Sequence, residues 1–127
     1  MAGNLPDTIE NQLLDALVGT ASYTVTTPIK VALETVAGTD AAAGTECTGG
    51  SYVRQTVTFG AASGGSIANS GALSFTSMPA CTVVAIAVYD SNGTPKRLAY
   101  GALTASKVVA SGDTFQIAIS ALTLALD

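Results

Sequence analysis

"CTVVAIAVYDSNGTPKRLAYGAL", residues 81–103, reads as strand, turn and strand. From Val83 to Val88 the chain is apolar at odd and even positions alike, which suits a central strand covered on both faces. DSNGTP, residues 90–95, is made of turn formers, and Asn92-Gly93 predicts positive φ in a tight connection. KRLAYGAL, residues 96–103, then follows as the hairpin partner. The same period continues on either side. In PIKVALETV, residues 28–36, Ile29, Val31 and Leu33 alternate with Lys30, Ala32 and Glu34, and Pro28 marks a strand start or an edge. In SYVRQTVTF, residues 51–59, Val53, Val57 and Phe59 share one side with Gln55, while Tyr52, Arg54, Thr56 and Thr58 form a polar side.

A short strand is expected around Ile67, and another through Leu73 and Phe75. DTFQIAIS, residues 113–120, points Phe115, Ile117 and Ile119 inward. ALTLALD, residues 121–127, points Leu122, Leu124 and Leu126 inward. The parity flips between those two runs, so Ser120-Ala121 predicts a bulge or a bend that carries the chain from one sheet to the other. Seven or eight short strands with Gly-rich punctuation predict an all-β fold. Its expected architecture is an antiparallel β-sandwich, jelly-roll or Greek-key like. The small-residue stretches 37–50 and 60–72 are loops inside that domain, because strand pattern resumes at once on both sides.

One segment has helical period. PDTIENQLLDALVG, residues 6–19, places Ile9, Leu13, Ala16 and Leu17 on one face. Asp7 is the expected N-cap with Glu10 at capping-box spacing, and Gly19 is the expected stop. The organisation is therefore a short N-terminal amphipathic helix and lead-in over residues 1–27, a candidate docking element, followed by a sandwich over 28–127.

Composition narrows the function. The 127 residues are 48% hydrophobic and only 11% charged, against about 25% charged in a typical soluble domain. The surface is then largely Ser, Thr, Gly, Ala and Asn, which is cheap to desolvate and suits faces covered by neighbours. A net charge of −4 argues against nucleic acid. The longest apolar run, residues 83–89, has the length of a strand and not of a spanning helix, so no membrane partner is expected. The first residues have neither a basic nor an apolar signal region, which points to synthesis and retention in a cytoplasm. There Cys47 and Cys81 stay reduced and read as small buried hydrophobes; they pair only if the fold brings them together.

Catalytic chemistry is poorly supplied. The chain has no histidine, the usual general base and metal ligand. The cysteines lack zinc or redox spacing, and none of the nine carboxylates is paired at a catalytic spacing. Asp90 and Asp113 suit turns. No catalytic residue, metal or cofactor is expected, and the chain does not read as an enzyme. Arg54 is one of five Lys or Arg residues, and its planar guanidinium can fork onto a carboxylate. It is expected to pin the loop that carries Glu46, or a neighbour's loop.

GTECTGGSYVRQTVTFG, residues 44–60, resembles a pattern of small bacteriophage virion proteins. Its parts are Gly-Thr-Glu, one residue, Ser/Thr-Gly-Gly, a short gap with Tyr, then Arg-Gln and a Val-Thr-Phe strand. The ending, residues 100–127, is similar to the same family's ending: a Gly-Ala-Leu-Thr turn, a Lys-x-Val strand, Ser-Gly-Asp-Thr and a Leu-rich strand closing on Leu-Asp. IKVALETV resembles its first strand, and the helix at 5–19 its leader helix. The stretch VAIAVYDSNG departs from the family, keeping only Tyr89 of the aromatic residues that members carry before the central Asp turn.

The resemblance implies a non-enzymatic phage structural protein, and the acidic balance suits an outward position, on the outer surface of the virion. Members are often labelled tail-fibre-like or head decoration. A small sandwich without room for a shaft, and acidic as DNA-distant surfaces are, is first expected to be a capsid decoration (cement) protein. A tail-associated protein, a minor tail or fibre-like adaptor, is the alternative. The expected partners are the major capsid protein or tail proteins and further copies of itself, since sandwich edges seek partners. Ile9, Leu13, Leu17, Glu46, Tyr52 and Arg54 are the expected assembly residues. A glycan- or protein-binding sandwich is a further alternative, and would need an exposed aromatic platform drawn from Tyr23, Tyr52 and Tyr100.

Overall fold

A computed structural model describes residues 2–126. Among these, ten strands and one helix follow in the order β1 (Ala2–Gly3), α1 (Asp7–Leu17), β2 (Ile29–Val36), β3 (Thr45–Glu46), β4 (Gln55–Val57), β5 (Ser66–Ala68), β6 (Leu73–Phe75), β7 (Cys81–Tyr89), β8 (Arg97–Val109), β9 (Phe115–Ile117) and β10 (Thr123–Ala125). The fold is the expected all-β sandwich with one short helix in front. Every pairing is antiparallel except that of β1 with β10.

The stretch at 81–103 forms the spine. β7 lies between β2 and β8 in a five-stranded sheet, and Val83, Ala85, Ile86, Ala87 and Val88 are all buried. The connection to β8 is wider than a two-residue turn. Neither Asn92 nor Gly93 has positive φ. Instead the Asp90 carboxylate templates the loop, with Oδ1 accepting from the backbone N–H of Lys96 at 2.7 Å and of Asn92 at 3.3 Å. The Gly-Ala-Leu-Thr run also departs from expectation, since it lies inside β8. Ala102 faces Ala85 and Lys107 faces Val83, so Val84 alone stands opposite residues 103–106, and the expected turn is instead a wide bulge.

β2 is covered on both faces. Val31 and Leu33 are buried as expected, but so are Ala32 and Glu34. β4 pairs with β2 over residues 29–31, and β3 pairs farther along, at Glu34 and Val36, on the edge away from β7. The gap between them is filled by a side chain: the Leu33 N–H donates to the Tyr52 hydroxyl at 2.8 Å. The strand expected over 51–59 is therefore only three residues long. Residues 52–54 leave the ladder, which turns Val53 outward and lets Tyr52 pack inward on Phe75. Its ring stacks on Phe75 at 6.1 Å between centroids, and Phe115 meets Phe75 edge-on at 6.2 Å.

The facing layer comes from β6 with β9 and from β5 with β10 and β1. The bend at Ser120-Ala121 does carry the chain from one sheet to another. Ser120 takes φ +64°, and Ala121 N–H donates to Ala118 O at 3.1 Å. Ile119 sits in this turn and is exposed, as is Leu126 beyond β10, so neither points inward. Asn69, buried, holds the switch together. Its Nδ2 donates to Gly71 O at 2.7 Å and Ala118 O at 3.0 Å, and its Oδ1 accepts from Leu122 N–H at 2.9 Å.

α1 begins after Pro6, whose carbonyl accepts from Glu10 N–H at 3.0 Å. Asp7 is not the N-cap. It is the first helical residue, where proline fixes the preceding turn and a carboxylate suits the helix dipole. Gly19 closes the other end as expected, at φ +80°, with Thr20 N–H donating to Asp15 O at 2.9 Å in a Schellman arrangement. Among the described residues, no helix is long and apolar enough to cross a membrane.

Candidate functional site

Glu46 ends β3, two residues of strand held against β2, and Arg54 precedes β4 on the same edge. The turn cluster 47–51 between them brings the two side chains together. Arg54 forks onto the carboxylate, Nε to Oε1 at 3.0 Å and Nη2 to Oε2 at 2.8 Å. The Tyr52 hydroxyl donates to the same Oε1 at 2.9 Å, and the Arg54 guanidinium lies 3.9 Å over the Tyr89 ring. The ion pair is partly buried, so the fork is charge-assisted and two-pronged where solvent screens it less than on an open surface. Burial pushes the Tyr52 hydroxyl up, well beyond the ordinary phenol range.

A second arginine, paired across the sheet with Tyr89, repeats the device. Arg97 opens β8, lies 4.5 Å over the Tyr100 ring, and donates through Nη2 to Thr39 O. Tyr100 in turn donates to Asp40 Oδ1. These contacts fold the 37–44 loop over β2 and bury Glu34. The closeness needs glycine at two places: a Cβ on Gly44 would sit 2.7 Å from Glu34 Oε2, and one on Gly38 would run into Arg97 Nη1. Glu34 is only 2% exposed, and its Oε2 has no hydrogen-bond partner. Burial pushes its carboxyl up, and Glu46, facing it across the strand pair, adds to this. The backbone N–H groups of Gly38 and Gly44 and the charge of Arg97 oppose it.

The helix presents a different chemistry. Ile9 is buried, and Leu13 and Ala16 are half-buried against the sandwich. Leu17 does not join them. Eight residues on from Ile9 it is rotated by about 80° at 100° per residue, and it is 79% exposed. With Leu14 at 60% and Val18 at 72% exposed, it forms an outward apolar ridge at i, i+3, i+4 spacing. "LLDALV" carries two apolar stripes: Leu13 and Ala16 belong to the inner one, while Leu17, expected on that same face, belongs with Leu14 and Val18 to the outer one, and the spacing of 14, 17 and 18 is the signal that separates them.

The six expected assembly residues thus fall in two places. Glu46, Tyr52 and Arg54 form one cluster. Ile9, Leu13 and Leu17 lie on the helix, and only Leu17 of these is largely open to solvent. The aromatic platform that a glycan- or protein-binding module would need does not form: Tyr100 is buried, Tyr52 is stacked on Phe75 with its hydroxyl engaged, and Tyr23 is left half-buried without either. A cleft of about 640 Å³ between the β8 bulge and β9 carries one ionisable side chain, Lys107. Among the described residues, no three His, Cys, Asp or Glu side chains converge as metal ligands.

Compared with known families, residues 4–125 match the one described as Podophage GP4 fiber I protein gp80. The chain belongs to that family. No curated protein matches it. Membership in the gp80 fibre family makes the resemblance read from residues 44–60 and 100–127 a true one: this is a small phage virion structural protein of tail-fibre-like kind. In this gp80-family chain the motif's Glu and Arg are the two halves of one ion pair, and its Tyr is the residue whose hydroxyl joins Leu33 of β2 to Glu46 of β3.

Proposed function

We propose that the chain is a non-enzymatic, tail-associated component of the virion, a fibre-like adaptor that joins other tail proteins. The observation that carries this reading is the fibre-family match over residues 4–125. It backs tail association better than the head decoration that the composition first suggested. The architecture suits the role. The sandwich is a stiff block whose loops are tied down by Arg54 and Arg97, and α1 offers a ridge that a neighbour can cover.

In this reading Leu14, Leu17 and Val18 enter an apolar groove of a neighbouring tail protein or of a second copy, as amphipathic helices do. Burying each such side chain is worth about 1.5–3 kcal/mol. The cluster of Glu46, Tyr52 and Arg54 holds the adjacent turn 47–51 in one shape, ready to be a second contact. The test is complementation with a Leu14→Asp, Leu17→Asp chain. Both positions are exposed, so the purified variant should keep its melting temperature within a few degrees while its incorporation into virions drops at least tenfold. Normal incorporation would remove the helix from the interface.

A further inference from the structure

We propose that Cys47 and Cys81 are a disulfide-forming pair, a site at which oxidation converts two packed thiols into a covalent staple between the β3 turn and β7. The fold brings together two residues 34 positions apart in the chain, with Sγ atoms 2.8 Å from each other. A disulfide needs about 2.05 Å between sulfurs, so less than an ångström of approach separates the thiols from the bond. Both backbones are anchored where they stand. Cys47 follows β3, and its N–H donates to Leu33 O at 2.8 Å. Cys81 opens β7 in register with Val109. The staple would enclose β4, β5 and β6, together with Tyr52 and Arg54.

The environments assign an order to the chemistry. Cys47 is buried and Cys81 half-buried, so a reagent in solution reaches Cys81. Burial, with the neighbouring Cys81 adding to it, pushes the Cys47 thiol up to about 12, which makes it a poor first nucleophile. With a small-molecule disulfide such as oxidised glutathione as oxidant, the Cys81 thiolate attacks one of its sulfurs. A mixed disulfide forms and one glutathione thiolate leaves. Cys47 then attacks the Cys81 sulfur, losing its proton as the second glutathione thiolate departs. One S–S bond breaks and one forms for each exchange. The protein pair loses two electrons and two protons, and both appear on two molecules of reduced glutathione.

Closing a loop of this length restricts the unfolded chain, and the melting temperature should rise by roughly 10 °C. The test incubates the purified chain with oxidised glutathione, counts maleimide-reactive thiols in denaturant, and records intact mass and melting temperature. The proposal requires both thiols to disappear within a monomer, with a mass lower by two hydrogens. It also requires the gain in melting temperature to be reversed by dithiothreitol and absent in Cys81→Ser. Persisting free thiols, stable glutathione adducts on the wild-type chain, a reducible dimer, or an unchanged melting temperature would each overturn it.

Discussion

Arg54 and Arg97 solve the same problem in the same way, each laying its guanidinium on a tyrosine ring and using its donors to fasten a loop. Replacing Arg54 by Ala leaves Glu46 partly buried with only the Tyr52 hydroxyl as a side-chain partner, and should cost about 2 kcal/mol. Lysine keeps the charge but not the fork, and should recover less than half of the loss in melting temperature. An Arg54→Ala chain that melts with wild type would show that the ion pair is idle. Glu34 behaves oppositely. Its folded-state carboxyl is raised by burial, so its contribution to stability is complete below the usual carboxylate range and is lost as pH rises through the folded value. Glu34→Gln should therefore melt higher than wild type at pH 8 and converge with it near pH 4, a difference that a pH series of thermal melts measures directly. The Arg54–Glu46 pair was legible because eight residues and one turn separate its members. The Arg97 contacts with Thr39 and Asp40 bridge 57 or more positions, and no local pattern announces them.

Strand alternation was readable wherever the ladder is regular, and it failed where side chains replace the ladder. Period 2 places Val31, Leu33, Leu73, Phe75, Phe115 and Ile117 correctly, because each lies in a paired strand with one face on the core. It misplaces Tyr52 and Val53, where the Tyr52 hydroxyl takes the position of a backbone partner, and Ile119, where Ser120 turns the chain over. The switch between sheets rests on Asn69, which sequence alone shows as one more polar residue in a Gly-rich loop. Asn69→Ala removes three hydrogen bonds of a buried side chain, two of them at the junction of β9 and β10, and should destabilise by about 3 kcal/mol. Chemical denaturation would measure that loss, and a change below 1 kcal/mol (about a third of it) would mean the turn holds itself. The helix shows the converse limit: its existence and its glycine stop were plain, but which of two apolar stripes faces the sandwich depends on packing that only the tertiary structure supplies.

At the scale of the molecule, a low-charge surface, a sandwich with its loops tied down and an uncovered helical ridge describe a part made to sit among neighbours. Composition alone could not distinguish head from tail, since both are crowded protein surfaces. Fibre-family membership shifts the balance to the tail. Quantitative mass spectrometry of purified virions, with this chain measured against the major capsid protein and a known tail protein, separates the two places by stoichiometry. A tail adaptor should be present at a copy number comparable to that of the other tail proteins and far below the capsid protein. A copy number close to that of the major capsid protein would put the chain on the head and contradict the tail assignment.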